Sequence, residues 1–197
     1  MTPGRTAAPT PASILALALE RQPTLGQGRL VCLDGPAGSG KTTWATGVAD
    51  LAPGTTVVHM DDLYPGWTGL PKVDAQLDAL LGPMALGRPG SYRRFDWVAG
   101  EFAEEVVVDP APLLVLEGVG CGASRLAALV TVLVWLEAPH DLRMERGVAR
   151  DGDAFAPHWE QWARDEAEMF VRERTRERAD LTVDGALPYP PGDSSSR

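Results

Sequence analysis

A glycine-rich segment followed by a lysine and two threonines is the part of this sequence best suited to chemistry. Gly35, Gly40, Lys41 and Thr42 have the spacing G-x-x-x-x-G-K-[ST]. Glycines let the backbone fold so that successive N–H groups point at phosphate oxygens, and a helix that begins there adds its positive dipole end. The lysine can reach the β- and γ-phosphates, and the threonine hydroxyl can ligate Mg²⁺. The segment therefore predicts a nucleotide site, which we assign to Gly35, Pro36, Ala37, Gly38, Ser39, Gly40, Lys41, Thr42 and Thr43.

Three acidic residues follow two other apolar segments. The stretch TTVVHMDDLY contains Asp61 and Asp62, and LLVLEGVG contains Glu117. Ligands of open parallel sheets bind beyond the carboxyl ends of the strands, where such acids can hold Mg²⁺ or take a proton from an attacking hydroxyl. A pair of aspartates after a strand is also common in turns. The residues alone therefore predict acidic groups at the ligand edge and leave their individual roles open.

Alternation of strands and helices is needed to place these groups together. Short continuous apolar runs are typical of strands that are covered on both faces. The predicted strands are Leu30–Leu33, Thr55–His59, Leu113–Leu116, Thr131–Leu136 and Leu181–Val183. The predicted helices are 41–51, 73–86, 97–106, 139–150 and 158–178. This order predicts a three-layer α/β fold with a five-stranded parallel sheet and helices on both faces.

Proline, glycine, serine and threonine are concentrated at both ends of the chain. This composition predicts disordered tails at residues 1–11 and 188–197 around a single domain at residues 12–187. The longest interval between predicted strands, residues 60–112, has room for an insertion that contacts a second substrate.

Composition restricts the class of protein. The 197 residues suffice for one core, and 44% hydrophobic with 23% charged residues is typical of a soluble globular chain. The formal net charge of −9 argues against nucleic acid or anionic membranes as partners. Cys32 and Cys121 are too few for a disulfide framework, and Cys32 is predicted to be a core residue. The apolar run at residues 13–19 stops at Glu20, so we expect a cytoplasmic protein without a signal peptide or membrane span.

The order of four motifs resembles the uridine kinase branch of the P-loop kinases, which includes phosphoribulokinase and nicotinamide riboside kinase. The motifs are the glycine segment, DDLY, LEG and RGVARD, within residues 29–151. The resemblance implies that Asp61 acts on the acceptor hydroxyl and that Glu117 lies near Mg²⁺ with Thr42. It also implies a lid at residues 143–158, whose Arg146 and Arg150 close over the phosphates. The stretch DGPAGSGKT also resembles cytidylate kinase, but HMDDLY does not match that family.

The chain departs from this family where the base of a nucleoside would be recognised. Family members often follow an aromatic-Asp-aromatic segment with a His and an Arg; here Phe95, Asp96 and Trp97 are followed by VAGEF. The second arginine of the lid motif is replaced by Gly147. We therefore leave the identity of the acceptor open. We assign the acceptor site to Asp62, Tyr64, Trp67, Tyr92, Arg93 and Asp96.

The function predicted from these features is an ATP-dependent small-molecule kinase that uses Mg²⁺. It would transfer the γ-phosphoryl group to a hydroxyl of a nucleoside-like or other polar metabolite. Lys41, Asp61, Arg146 and Arg150 are the predicted catalytic residues, with ATP and a small hydroxylated substrate as partners, and the chain could also form a homodimer. Two alternatives stay open: an NTPase or nucleotide switch acting with a protein partner, and a phosphotransferase that modifies an antibiotic.

Overall fold

A five-stranded parallel sheet forms the centre of the molecule. The computed structural model describes residues 8–152 and 156–190. The strands are β1 (Arg29–Asp34), β2 (Thr56–His59), β3 (Gly90–Asp96), β4 (Glu101–Val108), β5 (Leu113–Glu117), β6 (Val132–Glu137) and β7 (Leu181–Asp184). The helices are α1 (Pro11–Glu20), α2 (Lys41–Leu51), α3 (Asp74–Ala85), α4 (His140–Asp151), α5 (Ala156–Glu173) and α6 (Thr175–Arg178). The sheet order is β2-β5-β1-β6-β7, and every neighbouring pair is parallel. All five predicted strands and the predicted α/β class are confirmed.

The sheet separates two hydrophobic cores, because alternate residues of a strand face opposite sides. On β1, Val31 and Leu33 pack with α1 and α2, whereas Leu30 and Cys32 pack with α3 and α5. Both faces are therefore covered, which explains why the strands consist of continuous apolar runs. The burial of Cys32, which has no exposed surface, agrees with its predicted core role.

The chain ends pack on the domain further than the composition suggests. Thr10 caps α1: its hydroxyl accepts a hydrogen bond from the Ser13 amide at 3.1 Å, and the Ser13 hydroxyl accepts one from the Thr10 amide at 2.9 Å. Tyr189 packs edge-on against Trp44, with ring centroids 5.6 Å apart. Residues 8–11 and 188–190 of the predicted tails are therefore among the described residues of the domain. Residues 1–7 and 191–197 lie outside the described part.

The predicted helix at residues 97–106 is wrong. β3 and β4 form an antiparallel hairpin, in which Gly90 pairs with Val108 and Asp96 pairs with Glu101. The turn uses Gly100 with a φ of 73°, a conformation that glycine adopts without strain. The following run of three valines favours a strand because β-branched side chains pack well on a pleated surface. This hairpin fills the second half of the predicted insertion.

The predicted lid at residues 143–158 corresponds to the end of α4 and the start of α5. Residues 153–155, at its centre, lie outside the described residues. Among the described helices, none is both long and apolar enough to cross a membrane.

Candidate active site

The glycine segment forms a loop, residues 35–42, which we call the phosphate loop. It joins the end of β1 to the start of α2, and Gly35, Gly38 and Gly40 have φ angles of 140°, 77° and 99°. These positive angles are costly for other residues, so the glycines are required by the shape of the loop. Because α2 begins at Lys41, the N-terminal end of that helix points into the loop. The geometry is that of an anion-binding cradle.

The Lys41 side chain is folded onto the loop itself. Its Nζ donates to the carbonyl oxygens of Gly35 and Pro36 at 2.8 and 2.9 Å, and only 7% of the residue is exposed. The ammonium group is thus hydrogen-bonded to two carbonyls of the loop. It is also placed where a phosphate oxygen could replace those partners.

Thr42 and Glu117, the residues predicted to lie at Mg²⁺, are in direct contact. The Thr42 hydroxyl donates to Glu117 Oε1 at 2.9 Å, and His59 Nδ1 lies 2.6 Å from the same oxygen. Burial alone would raise the pKa of Glu117, but the hydrogen bond with His59 and the charge of Lys41 lower that pKa below its usual value. The carboxylate is therefore ionised at neutral pH.

This donor set fits Mg²⁺ when phosphate oxygens and water complete the coordination. A hydroxyl and one carboxylate are hard oxygen ligands of the kind that Mg²⁺ prefers together with substrate phosphates. Within the described residues, no group of three or more His, Cys, Asp or Glu side chains could hold a metal ion. A site at Thr42 and Glu117 would depend on the nucleotide for its remaining ligands.

Asp61 and Arg150, both predicted to be catalytic, lie close together beyond the end of β2. Arg150 Nη1 lies 3.8 Å from Asp61 Oδ2, and both side chains are more than half exposed. Asp62 is half-buried: burial raises its pKa, although the charges of His59 and Arg94 act in the opposite direction. The two neighbouring aspartates are thus in different surroundings, and the exposed Asp61 is the one beside the lid arginine.

Helices α4 and α5 contact the outer side of the phosphate loop. Glu166 of α5 accepts a hydrogen bond from the Ala37 amide at 2.8 Å and one from Arg143 Nη1 at 2.9 Å. Arg143 Nη1 also donates to the Ala37 carbonyl at 3.1 Å. Arg146 donates to the carbonyls of Gly38 at 3.3 Å and Gly185 at 2.9 Å. Arg146 therefore contacts the loop directly, whereas Arg150 lies beside Asp61.

A buried aspartate at the end of β1 connects the phosphate loop to the segment after β5. Asp34 has no exposed surface, and its carboxylate accepts from the amides of Gly35, Gly120 and Gly122 at 2.7, 2.8 and 2.8 Å. Burial raises the pKa of Asp34 to about 6, against the effect of these hydrogen bonds. Asp34 fixes the position of the phosphate loop relative to the segment that follows Glu117.

Aromatic side chains surround a cavity of about 510 Å³ next to Asp61. Its lining includes Trp67, Phe95, Trp97 and Phe102. The indole N–H of Trp97 donates to the Asp61 carbonyl at 2.9 Å, which places the cavity directly beside that residue. Trp67, predicted to contact the acceptor, lines this cavity and also packs against His158 and Trp162.

The other residues predicted for the acceptor site do not line this cavity. Tyr64 is fully buried and donates to the Val119 carbonyl at 2.6 Å, so the prediction that it contacts an acceptor is wrong. Arg93 donates to backbone carbonyls of β4, and Asp96 accepts from two amides in the hairpin turn, so both stabilise the hairpin. Tyr92 lies near Asp62, and burial raises its pKa to about 12.

Several site residues were missed by the sequence analysis, and two of them had a detectable signal. Asp34 is a charged residue that ends an apolar strand directly before the first loop glycine. Glu166 lies four residues after Trp162 and seven after Trp159, so helical spacing puts a carboxylate in the buried stripe of α5. His59 and Trp97 carry no comparable signal, because their roles depend on contacts with other segments.

Two solved structures with a similar fold come from proteins described as possible kinases. The fold is similar to that of a possible uridine kinase from Bacillus stearothermophilus, with 20% identity, a TM-score of 0.59, and coverage of 80% of this chain and 89% of the other. It is also similar to a protein provisionally identified as a fructose transport system kinase, from Silicibacter sp. TM1040, with 24% identity, a TM-score of 0.60, and coverage of 89% and 99%. No protein-family model and no curated protein sequence matches the chain. At these identities the likeness shows the fold alone, and it is an α/β fold of the kind that the sequence predicts.

Proposed function

We propose that this chain is an ATP-dependent kinase that transfers the γ-phosphoryl group to a hydroxyl of a small polar molecule. The observation that carries the proposal is the contact of Thr42 with Glu117 at 2.9 Å beside the phosphate loop. It brings a hydroxyl and an ionised carboxylate together where the β- and γ-phosphates of a nucleotide in the loop would lie. Mg²⁺, when bound there, would neutralise charge between those phosphates.

The chain's own groups would then position the reactants. The loop amides and Lys41 bind the phosphates, with Lys41 exchanging its carbonyl partners for phosphate oxygens. Asp61 accepts the proton of the acceptor hydroxyl as that oxygen attacks the γ-phosphorus and the bond to the β-phosphate oxygen breaks. Arg150, 3.8 Å from Asp61, stabilises the charge of the transferred group.

The aromatic cavity beside Asp61 is the proposed place for the body of the acceptor. Rings such as Trp67 and Trp97 bind flat or partly apolar faces of sugars and heterocycles, and Glu101 at the edge of the cavity is a polar group within reach. The two kinases of the same fold are named for a nucleoside and a sugar, which supports an acceptor of that general size.

The proposal is tested by a phosphate-transfer screen with radiolabelled Mg·ATP. The acceptors are nucleosides, vitamins, sugars and aminoglycoside antibiotics, and the Lys41→Ala protein serves as the control for contaminating kinases. We expect labelled product with at least one class of acceptor and only background with Lys41→Ala. Acceptor-independent release of phosphate by the parent, without labelled acceptor from any class, would instead favour an NTPase or a nucleotide switch.

A further inference from the structure

The phosphate loop is held from outside at three consecutive peptide units. The amide of Ala37 belongs to the unit 36–37 and is bound by Glu166 at 2.8 Å. The carbonyl of Ala37 belongs to the unit 37–38 and accepts from Arg143 at 3.1 Å. The carbonyl of Gly38 belongs to the unit 38–39 and accepts from Arg146 at 3.3 Å. No rotation of these units is possible without breaking a contact to α4 or α5.

The ion pair of Glu166 and Arg143 is well suited to hold the loop, because it is buried and each of its side chains also binds the Ala37 backbone. The side chains of Arg143 and Glu166 are 11% and 3% exposed. Arg143 also donates through Nε to the Ala138 carbonyl at 3.2 Å, so one guanidinium joins α4, α5 and the loop. Removing one partner of such a pair leaves the other charge buried without compensation. The arrangement therefore constrains the loop tightly.

Gly38 makes the loop dependent on this support. Its φ of 77° is accessible to glycine at little cost, but the same freedom gives the unsupported loop many other conformations. A side chain at Gly38 would collide with the Arg143 backbone, so the loop and α4 are in close contact there. Fixing a flexible binding loop in its bound shape lowers the entropy that a ligand must otherwise overcome.

We propose that Glu166, together with Arg143, is a positioning residue that keeps the phosphate loop in its nucleotide-binding conformation. It acts on the phosphates through the peptide units around Ala37 and does not itself take part in the transfer. The inference rests on the phosphate-binding part of the proposed function and is independent of the acceptor. The chain thus supports its phosphate loop with a carboxylate that is separated from Ala37 by 129 positions in the sequence.

The test compares nucleotide affinity and loop exchange in Glu166→Ala with a matched control on the same helix. Glu173 also accepts from a backbone amide and a hydroxyl, those of Ser124 at 2.9 and 2.6 Å, but away from the loop. We expect the Kd of Mg·ADP, measured by calorimetry, to rise about tenfold or more in Glu166→Ala and to change less than about twofold in Glu173→Ala. Amide hydrogen exchange of residues 37–39 without nucleotide should be faster only in the first variant.

If Glu166→Ala folds poorly, two further variants test the role of Glu166. Glu166→Gln offers one acceptor oxygen in place of two, so it should weaken Mg·ADP binding by an intermediate factor. Ile14→Val lowers stability in the other core, and it should leave the Kd unchanged at a temperature well below its melting point.

Unchanged or tighter binding in both Glu166 variants would overturn the inference, as would equal weakening in Ile14→Val. Lys41→Ala separates this failure from that of the proposed function. If Lys41→Ala also binds normally, the nucleotide site itself is wrong; if only Lys41→Ala is impaired, the role of Glu166 alone is wrong.

Discussion

The phosphate side and the acceptor side of the molecule are built in different ways. Around the phosphate loop, backbone groups are bound by buried charged side chains, such as Asp34 and Glu166. Beside Asp61, the cavity is lined by Trp67 and by aromatic rings of a hairpin that is not part of the central sheet. The first arrangement holds a constant chemical group in a fixed geometry. The second presents surfaces whose shape selects a ligand, and changes there should alter specificity without altering phosphate binding.

The largest expected effect is that of Asp61→Asn, at the boundary between the two sides. The amide keeps the shape and cannot accept the proton, so turnover should fall by about 10²–10⁴-fold while the Kd of Mg·ATP stays near that of the parent. Steady-state kinetics and calorimetry measure the two quantities. Asp62→Asn is the control and should lose less activity; the reverse order would show that Asp62 is the base.

Lys41→Ala should damage the phosphate side alone. The loop loses the charge that lies closest to its carbonyls, and we expect about a 10²–10³-fold loss of turnover with clear weakening of Mg·ATP binding. Acceptor affinity measured without nucleotide should be unchanged. Normal ATP affinity and turnover would contradict the assignment of the loop.

Arg150→Ala and Arg146→Ala should differ, although both residues belong to the predicted lid. Arg150 lies near Asp61, so its loss should lower kcat by about 10- to 100-fold with little effect on the melting temperature. Arg146 contacts the loop carbonyl of Gly38 and the carbonyl of Gly185, so its loss should mainly raise the KM for ATP. If both variants melt earlier and retain normal kinetics, the two arginines are structural.

Trp97→Ala should damage the acceptor side alone. It removes a wall of the cavity and the hydrogen bond to the Asp61 carbonyl, so we expect the KM for the acceptor to rise about tenfold with the Kd of Mg·ATP unchanged. Val98→Ala, at a fully exposed position in the adjoining turn, is the control and should behave like the parent. An equal effect of both variants would point to a loss of hairpin structure.

The smallest expected effect is a change in the pH dependence of stability. The hydrogen bond with Glu117 raises the pKa of His59 above its usual value. The imidazolium therefore contributes stability at pH values below its unfolded pKa, and that contribution is lost as pH rises through its folded pKa. Between about pH 6 and 9, in EDTA, the melting temperature of the parent should fall relative to that of His59→Gln. Parallel curves would show that the contact adds no net stability.

The difference between the phosphate side and the acceptor side also explains which features are predictable from the sequence. The phosphate loop, the strand before Asp61 and the strand that ends at Glu117 are predictable, because each depends on a local pattern of glycines or continuous apolar residues. The hairpin was mistaken for a helix at residues 97–106, because its strands pair with each other and short apolar segments do not distinguish the two structures. Tyr64 was placed in the acceptor site because it follows the aspartates, but its position depends on contacts with Val119 and Trp162 from distant segments.

Helix α5 touches both sides at once. Near its start, the imidazole of His158 stacks on Trp67 with ring centroids 4.8 Å apart and planes inclined by 14°. Two to three turns later, Glu166 binds the Ala37 amide. A nucleotide that favours one position of this helix must change the free energy of placing an acceptor against Trp67, and reciprocity then requires the acceptor to change nucleotide affinity by the same factor. Any coupling between the two binding sites through these contacts would thus depend on one helix.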